Sequence, residues 1–201
     1  MTRVQEALKI AEETDSPILC FLCYAAKGNA LLAAEEFDSA LEVYEQALQA
    51  IEGTEHRRQL EAVYYNLVRV NLDVGDWAEA ERFYEAGFPL VQLNPEREAP
   101  RFDFLKGRLL SSEGSLDFEQ AEAFFEKSVR TDETSGAVVL AAQTRFYLAQ
   151  MLAQKGEIDR SLSLLNELRS QFKNWGIAFW QKKSEQAMKA VDGGVDYSLN
   201  L

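Results

Sequence analysis

The chain has little of what catalysis and metal binding draw on. One histidine and two cysteines occur in 201 residues, too few for most metal sites or for a cysteine–histidine–acid arrangement. No Gly-rich phosphate loop, nucleophile elbow or kinase signature is present. No apolar run approaches the roughly 20 residues of a membrane span, and the N-terminus lacks the apolar stretch of a signal peptide. Basic residues are the minority, 21 Lys and Arg against 33 Asp and Glu, for a net charge of −12. Nucleic acids and anionic membranes are held by clustered cations, so both partners are disfavoured. The expectation is a chain with no catalytic residues, no metal and no cofactor.

What remains is ordinary for a folded protein: 47% hydrophobic and 27% charged residues. A chain of this length buries about 70% of its unfolded surface without help from disulfides or metals. The charge is uneven. Residues 1–100 hold 19 acidic and 8 basic side chains, and residues 101–201 hold 14 and 13. The acidic half would steer a basic partner toward it, or serve solubility alone.

The strongest signal is a repeat. Phe37-Asp38-Ser39-Ala40-Leu41-Glu42-Val43-Tyr44 shares its pattern with Trp77 to Tyr84, Phe118 to Phe125 and Ile158 to Leu165. The small residue of each segment falls at Ala40, Ala80, Ala121 and Ser161, at intervals of 40, 41 and 40. Small and large residues three and four apart share one face of a helix, and a small residue there lets a neighbouring helix come close. Asp76 with Glu79 and Asp117 with Gln120 have the spacing of helix N-caps. A second helical pattern precedes each segment: 18–33, 57–74, 102–112 and 138–154. Asn94 to Glu98 and Asp132 to Gly136 read as loops between units. The spacing therefore predicts repeats over about 17–53, 54–94, 99–133 and 135–172, within a single domain over 1–192. A partial repeat at 2–14 precedes them, a terminal helix at 176–192 follows, and 193–201 is expected to be a mobile tail. That gives about ten helices.

These residues resemble the tetratricopeptide repeat family. The first unit carries Tyr24, Gly28, Leu31, Phe37, Ala40, Tyr44 and Ala47, and the second Tyr64, Leu67, Gly75, Trp77, Ala80 and Tyr84. The fourth carries Leu148, Ala149, Leu152, Gly156, Ile158, Ser161 and Leu165. Val68, Arg145 and Gly87 depart from the family pattern. A longer turn at Ser111 to Asp117 leaves the register of the third unit's first helix open by one or two residues. The repeat of about 40 residues is longer than the usual 34. The resemblance implies an all-α, right-handed α-solenoid of antiparallel helix pairs whose first helices line a concave groove, and a scaffold or adaptor role without catalysis.

Side chains on the first helices outside that motif are the candidate partner-binding residues: Asn29, Tyr65, Asn66, Arg69, Asp73, Gln143, Tyr147 and Gln150, with Leu22, Ala26 and either Lys106 or Arg108. Amides and arginine bond peptide backbone or carboxylate, and tyrosine adds apolar contact. The partner is a protein or peptide segment, basic if the charge of the first half decides. Two other roles fit the pattern: a regulatory segment of a larger signalling or transcription protein, or a module that self-assembles through its terminal helices.

Cys20 and Cys23 lie within an apolar helix, so they read as buried structural thiols in a reducing cytoplasm. Trp175, Phe179 and Trp180 follow the fourth unit, where they would cap the array or contact another chain.

Overall fold

The computed structural model describes the backbone of residues 3–91 and 95–193 and the side chains of 6–91 and 101–193. Among the described residues there are ten α-helices and no strand. They are α1 (Arg3–Glu13), α2 (Pro17–Ala33), α3 (Phe37–Ile51), α4 (Arg57–Val74) and α5 (Trp77–Val91), then α6 (Pro95–Leu110), α7 (Phe118–Thr134), α8 (Val138–Gln154), α9 (Ile158–Asn174) and α10 (Ala178–Asp192). From residue 194 the expected tail lies outside the described residues, as does residue 2 of the partial repeat.

Two compact units divide the chain, residues 1–98 and 99–201. In the first, α1 to α5 pack each on the next, and α2 also touches α4. In the second, α7 to α10 pack in the same succession, α10 touches α8, and α6 meets α7 where Phe104 faces Phe125 at 6.3 Å. Short turns fold each pair back on itself, which makes the paired helices antiparallel.

The small residue of the repeat explains this packing. Ala40, Ala80, Ala121 and Ser161 have no exposed surface, and the large residues four positions on, Tyr44, Tyr84, Phe125 and Leu165, are buried beside them. Where the small residue is serine, its hydroxyl donates to the Ala149 carbonyl of α8 at 2.7 Å, so the polar atom is satisfied within the contact. Each second helix begins at the residue that opens its segment: Phe37, Trp77, Phe118 or Ile158. The Asp76 and Asp117 carboxylates accept from the backbone N–H of Glu79 and Gln120, both at 3.1 Å, which satisfies donors that a helix start leaves without partners. The turn before each second helix passes through a left-handed residue, Gly75 (φ 81°) and Gly156 (φ 87°) in two repeats, a conformation glycine adopts without steric cost.

Two features differ from the sequence expectation, and a third supplies a register that the sequence left open. Helix α6 starts at Pro95, not at residue 102, so the expected loop at Asn94 to Glu98 is helical from Pro95 onward; proline is tolerated at that first position because its missing N–H would have no partner there. Helix α7 runs through Thr134, which shortens the loop expected at Asp132 to Gly136 to the last two of those residues and Ala137. The third repeat's register is fixed by Gly107: a Cβ there would lie 2.8 Å from the Phe125 ring, just as one at Gly28 would lie 2.7 Å from Tyr44. Gly107 precedes its aromatic by two residues more than Gly28 does, and the longer turn after α6 absorbs the difference.

The C-terminal end is closed by polar residues. Ala142, Phe146 and Ala149 of α8 belong to the core that α9 and α10 cover. Forty residues on, α10 carries Lys182, Gln186 and Lys189, all exposed. A polar outer stripe of that kind is what a terminal helix of a repeat array needs.

Candidate functional site

The polar face of the first helices follows from the packing register. Gly28 and Gly107 face the aromatic ring of their own second helix, the Ala149 carbonyl accepts from Ser161 of its own, and Val68 is the buried residue in the same register. The next residues are Asn29, Arg69, Arg108 and Gln150. Every repeat thus places a side chain with N–H donors one step round from its closest helix contact.

In the first unit these side chains meet. Helices α2 and α4 are neighbours, and the Asn29 amide oxygen accepts from the Tyr44 hydroxyl of α3 at 2.8 Å. Tyr44 is fully buried; burial pushes its phenol up to about 12, against the opposing charge of Arg69. The hydroxyl therefore stays protonated and holds the oxygen of the exposed Asn29 amide. The Arg69 guanidinium lies 5.9 Å from the centre of the Tyr65 ring one turn earlier on α4. Asn66 is half-buried beside them, as is Asp73, one turn beyond Arg69. Asn29, Tyr44, Tyr65 and Arg69 form one cluster across three helices. Tyr44 was legible in the sequence only as core; a buried tyrosine in place of phenylalanine is itself a signal, because its hydroxyl needs a partner.

In the second unit the candidates are Gln143, Tyr147 and Gln150, all half-buried on α8. Tyr147 is packed edge-on against Phe104 at 5.1 Å and Phe146 at 5.6 Å, and the Arg108 guanidinium sits 4.6 Å over its ring. Of the two cations the sequence left open at this place, Arg108 is the one that joins the tyrosine. Leu22 and Ala26 are exposed on α2.

Among the described residues, no group of three or more His, Cys, Asp or Glu side chains is placed to hold a metal ion. Both cysteines are free thiols, and burial, followed by the charge of Glu12, raises the Cys20 pKa, which disfavours the reactive thiolate. No described helix is long and apolar enough to cross a membrane.

The sequence model of the tetratricopeptide repeat family matches residues 18–92. No curated protein matches the chain in sequence. Among solved structures the chain is similar to YrrB, described as a TPR protein with an unusual peptide-binding site: identity is 19%, TM-score 0.48, and the match covers 98% of this chain and 88% of that one. Helix pairs that turn back through Glu35 and Gly75, small residues closed against their partners at Ala40 and Ala80, and the family match over the same stretch make residues 18–92 tetratricopeptide repeats.

Proposed function

We propose that the chain is a non-catalytic protein-interaction scaffold that takes a peptide or protein segment on the exposed face of its first helices. The observation that carries this reading is the Asn29–Tyr44 hydrogen bond beside Arg69 and Tyr65. A donor set held by a buried tyrosine is ordered before the partner arrives, so binding loses less side-chain entropy. Asn29 and Asn66 suit the backbone of an extended segment and Tyr65 its apolar side chains. The acidic excess of residues 1–100 favours lysine or arginine flanking that segment.

The test starts with affinity capture from lysate, followed by calorimetric titration of the recovered partner. The double variant Asn66→Ala, Arg69→Ala is expected to weaken binding about tenfold or more while leaving the melting temperature close to that of the parent. Unchanged affinity would remove this face as the binding site.

Self-association is a second reading, favoured by the apolar exposure of Ile10, Leu19 and Leu22 on α1 and α2. Because the outer stripe of α10 is polar, such a contact would join two N-terminal ends about a twofold axis. Light scattering over about a hundredfold range of concentration is expected to show a monomer giving way to a dimer; a constant monomer mass refutes it.

A further inference from the structure

In a chain with net charge −12, residues 168–184 carry Arg169, Lys173, Lys182 and Lys183 and no carboxylate. They span the end of α9, the turn at Gly176 and the start of α10. The same segment holds the exposed aromatics. Trp175 is 41% exposed and Phe179 56%. Trp175 rests edge-on against Phe172 at 5.9 Å, and Phe179 against Trp180 at 5.7 Å. Trp180 points inward to Phe146 and Phe172, so the outer rings stand on an anchored one. The Lys183 ammonium lies 5.3 Å from the centre of the Phe179 ring. Helix α8, which packs on α10, begins with Val138 and Leu140, 48% and 47% exposed. Neighbouring carboxylates are engaged: Glu133 by Arg145 at 2.6 Å, Glu185 by Gln181 at 3.0 Å and Glu167 by Gln171 at 2.9 Å.

Large apolar side chains left open together on one edge mark a contact surface more often than single exposed residues do. We propose that the edge formed by Trp175 and Phe179, flanked in sequence by Lys173, Lys182 and Lys183, docks an acidic segment of a partner protein in which leucine or phenylalanine alternates with Asp and Glu. Apolar side chains lie on Trp175 and Phe179, and the carboxylates meet the lysines. The cations also draw the encounter, because the rest of the chain repels an acidic partner. Single-stranded nucleic acid would meet the same rings and lysines, yet three or four cations release few counterions, and the acidic remainder opposes a polyanion along its length. This edge is built from residues of α9, α10 and the turn between them, none of which belongs to the first-helix face on α2 and α4.

A fluorescently labelled peptide of alternating Asp/Glu and Leu/Phe is the probe, read by anisotropy, beside the same peptide with lysine for every acid and a labelled oligothymidylate. The acidic peptide is expected to bind, more weakly as salt is raised. Phe179→Ser with Lys183→Glu, the first exposed and the second half-buried, should weaken it about tenfold or more without changing the circular dichroism melt; Trp175→Ala with Lys173→Glu, both exposed, serves as the second variant. Asn66→Ala, Arg69→Ala should leave it unchanged. If only that last pair weakens binding, the peptide sits on the first-helix face, and the edge proposal falls while the scaffold reading stands. Equal binding of the lysine peptide, tighter binding of oligothymidylate, or no binding of the acidic peptide overturns the proposal.

Discussion

Gly107→Ala is expected to cost about 1–3 kcal/mol of stability in the second unit, although alanine is the better helix former by about 1 kcal/mol. The added Cβ would lie 2.8 Å from the Phe125 Cδ1 atom, and Phe125 is fully buried, so its ring has nowhere to recede. The fourth repeat already carries the compensated pair: Ala149 stands opposite Leu165, both without exposed surface. Phe125→Leu alone should cost about 1–2 kcal/mol for the volume it removes. The double variant should lose less than the two single costs combined, with a coupling of about 1 kcal/mol or more in its favour. Urea unfolding followed by the fluorescence of Trp175 and Trp180 reports on this unit. Additive losses, or a Gly107→Ala variant as stable as the parent, would mean that the α6–α7 contact does not depend on this close approach.

Such a contact also shows why some of the architecture could be read from the residues. The intervals between Ala40, Ala80, Ala121 and Ser161 survive because each is the point where two helices touch, and nothing larger fits. The spans of α4 and α8 follow from glycine and polar punctuation on both sides. The third repeat was harder for a physical reason. Its first helix lacks the aromatic of Tyr24 and Tyr64, having Asp103 in that register, and its turn is longer, so periodicity had no anchor there. The helical pattern there was legible only from residue 102, while the helix begins at Pro95. Of the site, the sequence indicated which side chains share a face, but not which ones meet. The bond from Tyr44 to Asn29 and the stacking of Arg108 on Tyr147 depend on neighbouring helices, and no local pattern encodes them.

Asp132 is the position where sequence and packing disagree most. It read as loop because acids and Gly136 surround it, yet its register is that of Ile51, Val91 and Phe172, which are core residues in the other three repeats. The structure leaves it only 7% exposed, and burial raises its carboxyl pKa to about 6, against the nearby charge of Arg101. The unfolded carboxyl titrates near 4. Between these values the folded chain holds a proton that the unfolded chain has released, so stability is fullest below about pH 4 and is lost as pH rises through 6. Asp132→Val, which copies the residue of the second repeat, should remove that loss. The expected gain is on the order of 2 kcal/mol at pH 7.5 and under about 1 kcal/mol at pH 4.5, where the native acid is already neutral in the folded chain. Arg101 is half-exposed and can turn its charge to water. Part of the pH dependence should persist, because burial also raises the pKa of Asp103, opposed by the Lys127 ammonium at 3.0 Å. Thermal melts at the two pH values decide the matter. An equal gain at both would show that burial of a polar group, not of a charge, is the cost at this site. A loss at pH 7.5 would show that the attraction of Arg101 outweighs desolvation there.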